Sequence, residues 1–207
     1  MNPHQVTRAF EQAIADYCGS RFAVSVNSCT AALLLCCAYH EVGEVEIPKL
    51  TYVGVAQSIL NVGGTVKFRD ENWEGIYQLK PYNIWDAARR TTASMFIPNS
   101  MMCLSIHISK ILGVDQGGVI LHDDPVADPI LRKMRFDGRT EGVHPRDDTF
   151  TRGYHVYLSP NVAAQALWKL STLPRHNADL PRSDYSDLSL SPVFGGKVAN
   201  PAAEAAE

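Results

Sequence analysis

Phe22-Ala23-Val24-Ser25-Val26-Asn27-Ser28-Cys29-Thr30-Ala31-Ala32-Leu33 is the stretch on which the fold class turns. Residues 22–26 are aromatic and β-branched enough to read as a strand. Asn27 and Ser28 carry side chains that accept from free helical amides, so they end the strand and cap a helix over residues 30–40. Working outward, residues 6–17 place Phe10, Ala13, Ile14 and Tyr17 at helical spacing, with Gly19 as the stop. Residues 45–47 form a short strand closed by Pro48, residues 53–62 a helix, and Gly63-Gly64 turns the chain into a strand at 65–68. Further strands are predicted at 83–85, 94–97, 102–106 and 119–122, and helices at 126–136 and 162–170. This alternation predicts an α/β protein, a mostly parallel sheet sandwiched by helices, over residues 1–175. After Leu173 the pattern decays into polar and Pro-rich chain, so residues 176–207 are expected to be an irregular segment, with 201–207 a disordered tail.

Composition narrows the function classes. With 207 residues, 45% hydrophobic and 20% charged, the chain can build one full core. A formal charge of -3, with Lys and Arg spread along the sequence, offers no stripe to neutralise a run of phosphates, so nucleic acid is not an expected partner. The start of the sequence lacks a secretory pattern, and the apolar run 31–38 falls far short of the roughly 20 residues a membrane helix needs, so no membrane partner and a cytoplasmic location are expected. Five cysteines, none in a C-x-x-C pair, read as buried free thiols. The sequence contains no G-x-G-x-x-G, Walker A, G-x-S-x-G or H-E-x-x-H pattern, which leaves dinucleotide, triphosphate, hydrolase and zinc-protease readings unsupported.

Five short stretches carry the chemistry. In Asn27-Ser28-Cys29-Thr30-Ala31-Ala32 the helix N-terminus presents unpaired amides and partial positive charge, which suits a phosphate as well as an ordinary Ser cap. Pro48-Lys49-Leu50-Thr51-Tyr52 ends in an aromatic ring that can stack on a planar ligand or simply fill the rim. Trp85-Asp86-Ala87-Ala88 puts a carboxylate at a strand end, where it is either functional or a turn residue. Cys103-Leu104-Ser105-Ile106-His107-Ile108-Ser109-Lys110, followed by Asp115-Gln116-Gly117-Gly118-Val119, places a lysine and a serine between two strands. Gly153-Tyr154-His155, with Leu158-Ser159 beyond it, leads into a helix.

In order and in chemistry these stretches resemble the DegT/DnrJ-type sugar aminotransferases, which depend on pyridoxal phosphate (PLP) and share the fold type I transferase architecture. The resemblance runs from about residue 10 to about residue 170 and implies a reduced large domain of that fold. It implies a Schiff base between PLP and Lys110, with Lys110 then serving as general acid and base, and Asp86 keeping the pyridine nitrogen protonated. Ser28, Cys29, Thr30 and Ser105 would hold the phosphate, and Tyr52 would stack on the ring. The family's glycine is replaced by Cys29, and Arg89 stands where Gln or His commonly faces the phenolic oxygen. Arg89 would meet that oxygen or an anionic substrate, the plain alternative being a surface charge beside Arg90. His155 replaces an Asn that, in the family, reaches the partner subunit's phosphate. An extra strand and helix expected after Leu79 are missing.

The reaction implied is transfer of an amino group from an amino acid, glutamate by preference, to a keto sugar, with the sugar nucleotide-linked and the enzyme a homodimer. The alternatives are another PLP reaction on a small amino acid, elimination or decarboxylation, and a non-catalytic binding descendant of the fold.

Overall fold

A computed structural model describes residues 4–181 and 183–195. The tail over 201–207 lies outside the described residues. Strands are β1 (Phe22–Val26), β2 (Glu44–Pro48), β3 (Thr65–Arg69), β4 (Tyr77–Leu79), β5 (Ile84–Asp86), β6 (Met101–Ser105) and β7 (Gly118–His122). Helices are α1 (His4–Cys18), α2 (Cys29–Tyr39), α3 (Val53–Leu60), α4 (Ala127–Arg135) and α5 (Pro160–Thr172).

The central sheet runs β1-β7-β6-β5-β4, and β2 pairs with β3 in a second, parallel ladder. Two backbone bonds join the ladders: Glu46 N–H to Lys80 O (2.8 Å) and Lys80 N–H to Glu46 O (3.1 Å). The hairpin of β4 and β5 thus lies where the two ladders meet. The parallel expectation holds by strand direction and not by pairing. β1, β2, β3, β5 and β6 point one way, but the reversed β7 and β4 make the β1/β7, β7/β6 and β4/β5 ladders antiparallel.

Side-chain alternation decides which helices cover which face. Val24, Val26, Cys103 and Ile120 pack with α2 residues such as Leu33, Leu35 and Cys36. Their neighbours Ala23, Met102, Leu104, Val119 and Leu121 pack with Phe10 and Ile14 of α1 and Ala163, Ala166 and Leu170 of α5. β6 is buried along its whole length, as a strand covered on both faces must be.

Ser25 breaks the apolar alternation and receives a charged partner. Glu11 of α1 accepts from the Ser25 N–H (2.8 Å) and hydroxyl (2.7 Å), and it also pairs with Arg135 and Arg132 of α4. Burial works to raise the Glu11 pKa, yet Arg135, Arg132 and the Ser25 amide together bring it below its ordinary value. This network pins α1, β1 and α4 together, away from the cavity described next.

One expectation is corrected. Residues 94–97 form no strand: Ser94 takes φ 56°, and the amides of Ser94 and Phe96 donate to Tyr17 O and Cys18 O at the end of α1. A positive φ and hydrogen bonds to a helix end are incompatible with a ladder. Beyond α5 the chain is irregular but anchored. Asn177 hydrogen-bonds the Thr91 carbonyl, Leu188 N–H donates to Lys49 O, and Leu188 is buried in the core.

Candidate active site

The C-terminal ends of β1, β5 and β6 lie on one sheet edge, together with the N-terminal start of the reversed β7. In layered α/β folds this edge is where ligands bind. A cavity of about 440 Å³ opens there. Its walls include Ser28, Cys29 and Thr30 after β1, Asp86 and Arg89 at the end of β5, and Ser105 at the end of β6. Lys110, Gln116 and Gly117 come from the β6–β7 connection, and Tyr52 from the start of α3. Every residue expected to hold the cofactor, except His155, therefore meets at one place.

At the N-terminus of α2, Ser28 caps the helix with its own side chain, accepting from the Ala31 N–H at 3.0 Å, and its carbonyl accepts from Ala32 N–H. That leaves the Cys29 and Thr30 amides, which have no intrahelical acceptor, as the donors at the cavity wall. Cys29 fits a position where the resemblance expects glycine because its φ is not positive. Its thiol turns to the sheet and donates to Cys103 O at 3.4 Å. Two glycines make the cradle possible. A Cβ on Gly118 would sit 2.5 Å from Ser28 O and 2.6 Å from Cys29 N, and one on Gly54 would sit 2.6 Å from the Thr30 hydroxyl. Gly118, the first residue of β7, is thus explained by close backbone approach to the turn, whereas a Cβ on Gly117 would sit 2.8 Å from the Ile106 and Leu158 side chains.

Asp86 is 6% exposed and makes no ion pair among the described residues. It accepts from Ala88 N–H (2.9 Å) and from the Tyr77 hydroxyl (2.8 Å), which shares a 2.6 Å hydrogen bond with Thr51. Burial raises the Asp86 pKa against the pull of these bonds and of Lys110 and Arg89. A buried carboxylate with two neutral donors and no bonded cation is suited to a protonated ring nitrogen. Lys110 is half-buried, and its Nζ makes no hydrogen bond or ion pair to a described residue. Burial lowers its pKa, Arg89 lowers it further, and Asp86 and Cys29 oppose that shift. A lysine whose ammonium form is disfavoured keeps more of its amine free to bond a carbonyl carbon.

Arg89 is not the surface charge of the plain alternative: it is 7% exposed and lines the cavity. The Tyr52 ring is 56% exposed at the mouth. His107 lines the cavity and bonds the Ser109 hydroxyl at 2.9 Å. His155 lies outside the cavity, its side chain exposed and paired with Asp137 at 2.8 Å. The structure adds wall and support residues that the sequence did not disclose, namely Trp73, Tyr77 and Tyr185. Tyr77-Gln78-Leu79 does alternate, but three residues are too few to separate a strand from a turn.

Lysine, carboxylate and helix N-terminus around one cavity at the strand ends define the large-domain architecture of the fold type I transferases. The sequence model of the DegT/DnrJ/EryC1/StrS aminotransferase family matches residues 2–101, just under half of the chain. Among its relatives, the spore coat polysaccharide biosynthesis protein SpsC of Bacillus subtilis (strain 168) is 32% identical over 134 residues, 62% of this chain and 34% of SpsC. GDP-perosamine synthase of Caulobacter vibrioides is 31% identical over 102 residues, 48% of this chain and 25% of the synthase. The chain therefore spans about a third and a quarter, respectively, of the length of these curated relatives. The crystal structure of the sugar aminotransferase CalS13 from Micromonospora echinospora superposes with a TM-score of 0.70 at 20% identity, covering 82% of this chain and 61% of CalS13. At that identity the likeness speaks for the fold.

Proposed function

We propose that the Lys110 cavity binds PLP and that the protein transfers an amino group from an amino acid, glutamate by preference, to a keto sugar in nucleotide-linked form. The observation that carries this reading is the convergence of Lys110, Asp86 and the free amides of Cys29 and Thr30 on one cavity, from separate stretches of chain. When bound, PLP supplies an electron sink for the bonds at the amino-bearing carbon. The protein's own part is positional and protonic. The α2 N-terminus and the Ser105 hydroxyl would take the phosphate, and the Tyr52 face would lie against the ring. Asp86, steadied by Ala88 N–H and Tyr77 O–H, would keep the ring nitrogen protonated. Lys110 Nζ would hold the cofactor covalently and carry the proton to and from the substrate carbon.

The cavity mouth supports a homodimer. Tyr52, Val53 and Ile108 are 56%, 44% and 60% exposed around it, and a second subunit would cover them and shield the site from water. In such a dimer the 153–155 segment is the part of the partner expected to approach the phosphate. A two-fold axis would let each chain complete the other's site.

The test is borohydride reduction of the PLP-loaded protein followed by peptide mapping. The reading expects the label on Lys110 and, with an amino acid added first, loss of that label as the cofactor leaves the lysine. Label on another lysine, or none with PLP in excess, overturns it.

A further inference from the structure

Arg89 is a cavity residue whose side chain is bound by a part of the chain remote from the sheet. All of its side-chain hydrogen bonds to described residues go to one irregular segment: Nε to Leu180 O at 3.2 Å, and Nη1 to the Ser183 hydroxyl at 2.8 Å and the Tyr185 hydroxyl at 3.1 Å. None of these acceptors carries charge, and no carboxylate among the described residues ion-pairs with Arg89. A guanidinium buried this deeply needs its donors met, so the three acceptors decide where it rests.

The segment is also held by contacts that do not use the Arg89 side chain. Asp179 binds Arg90 through two bonds (2.8 and 2.5 Å), and Leu180 N–H donates to Arg89 O. Asp187 lies 3.6 Å from Lys49 Nζ, Leu188 N–H donates to Lys49 O, and the Tyr185 ring stacks on Trp73 at 6.2 Å and 21°.

We propose that Leu180, Ser183 and Tyr185 form a positioning strap that holds the unneutralised Arg89 guanidinium in the wall of the Lys110 cavity and so sets the reactivity of Lys110. The inference rests on the reading of Lys110 as the covalent anchor. Arg89 opposes a second positive charge on Lys110, and fixing the guanidinium keeps that opposition constant. The other groups facing Lys110 are Asp86 from β5 and Cys29 from α2, which favour the ammonium. His107, Tyr52 and Tyr185 are the other titratable side chains in the lining. Ser183 and Tyr185 act through Arg89 and are positioning residues, not catalytic ones.

The experiment uses the full chain without cofactor. Acetic anhydride labelling of Lys110 is followed against pH by peptide mass spectrometry, which reports the midpoint at which the amine becomes reactive. Arg89→Gln is expected to raise that midpoint by at least about half a pH unit. Tyr185→Phe keeps the ring on Trp73 and loses only the hydroxyl. Combined with Ser183→Ala it should raise the midpoint in the same direction, with the thermal transition retained. In the Arg89→Gln background the same pair should add nothing, since the residue through which they act is gone. If the pair unfolds the protein, Tyr185→Phe alone carries the comparison.

An unchanged midpoint in Arg89→Gln or in the strap variant, or an equal strap effect with and without Arg89, overturns the proposal. Because labelling needs no PLP, its failure is separable from failure of the functional reading. Strap effects without borohydride labelling of Lys110 would sink only the functional reading, and the reverse outcome only the strap.

Discussion

Gly118→Ala tests whether the turn before α2 is a phosphate cradle. Gly118 does not have positive φ, so alanine costs little in backbone strain and the clash acts alone. The new methyl would lie 2.5 Å from Ser28 O and 2.6 Å from Cys29 N, where uncompressed contacts fall at about 3.5 Å, so something must give by about 1 Å. Gly118 cannot give, because β7 is laddered to Val26 of β1 on one side and Ser105 of β6 on the other. The turn moves instead, taking the Cys29 and Thr30 amides with it. Overpacking of this kind costs about 1–3 kcal/mol of stability, which for a chain this size is a fall of about 2–12 °C in Tm. Two charge-assisted bonds weakened together should cost about 2–3 kcal/mol of binding, or about 30- to 150-fold in Kd for PLP. The assay is absorbance titration of the variant with PLP and with pyridoxal, which lacks the phosphate. The variant should lose affinity for PLP and keep that for pyridoxal. PLP affinity within about threefold of the parent, or equal weakening of both ligands, would refute the cradle.

Three further outcomes follow from the geometry. Asp86→Ala should leave borohydride labelling of Lys110 intact while lowering turnover at least about a hundredfold, and near-normal turnover would show that another group supports the ring nitrogen. Glu11 has a folded pKa below its ordinary 4.5, so its stabilisation is complete above that value and is lost as pH falls through the folded pKa. Glu11→Gln should cost about 3–5 kcal/mol at neutral pH, by stranding Arg135 and Arg132, and urea titrations of the variant should be flatter with pH below 4.5 than those of the parent; parallel curves would contradict the assignment. Mixing Lys110→Ala with His155→Ala chains should restore activity that neither has alone if sites are shared across a two-fold axis. Light scattering that finds a fully active monomer would end the dimer proposal.

The order of elements was legible in the chain because strand and helix periodicities are local properties. Residues 22–26 and the cap at Ser28 could be placed from side-chain chemistry alone, and Lys110 and Asp86 stood out once the Gly pair and the strand ends framed them. Residues 94–97 misled because an apolar run carries no sign of a positive φ at Ser94, which is set by the end of α1. Strand direction was beyond local pattern as well: whether β7 runs with its neighbours or against them depends on where the chain returns, not on its own residues. The Asp86–Tyr77–Thr51 chain and the hold of Ser183 and Tyr185 on Arg89 join residues far apart in sequence, each unremarkable alone. The sequence by itself pointed to the groups proposed for the chemistry and to most of the strands and helices that carry them, β4 excepted. Only the tertiary structure decided how those groups are desolvated and held, because burial, hydrogen-bond partners and the resulting shifts at Asp86 and Lys110 arise from packing between distant segments.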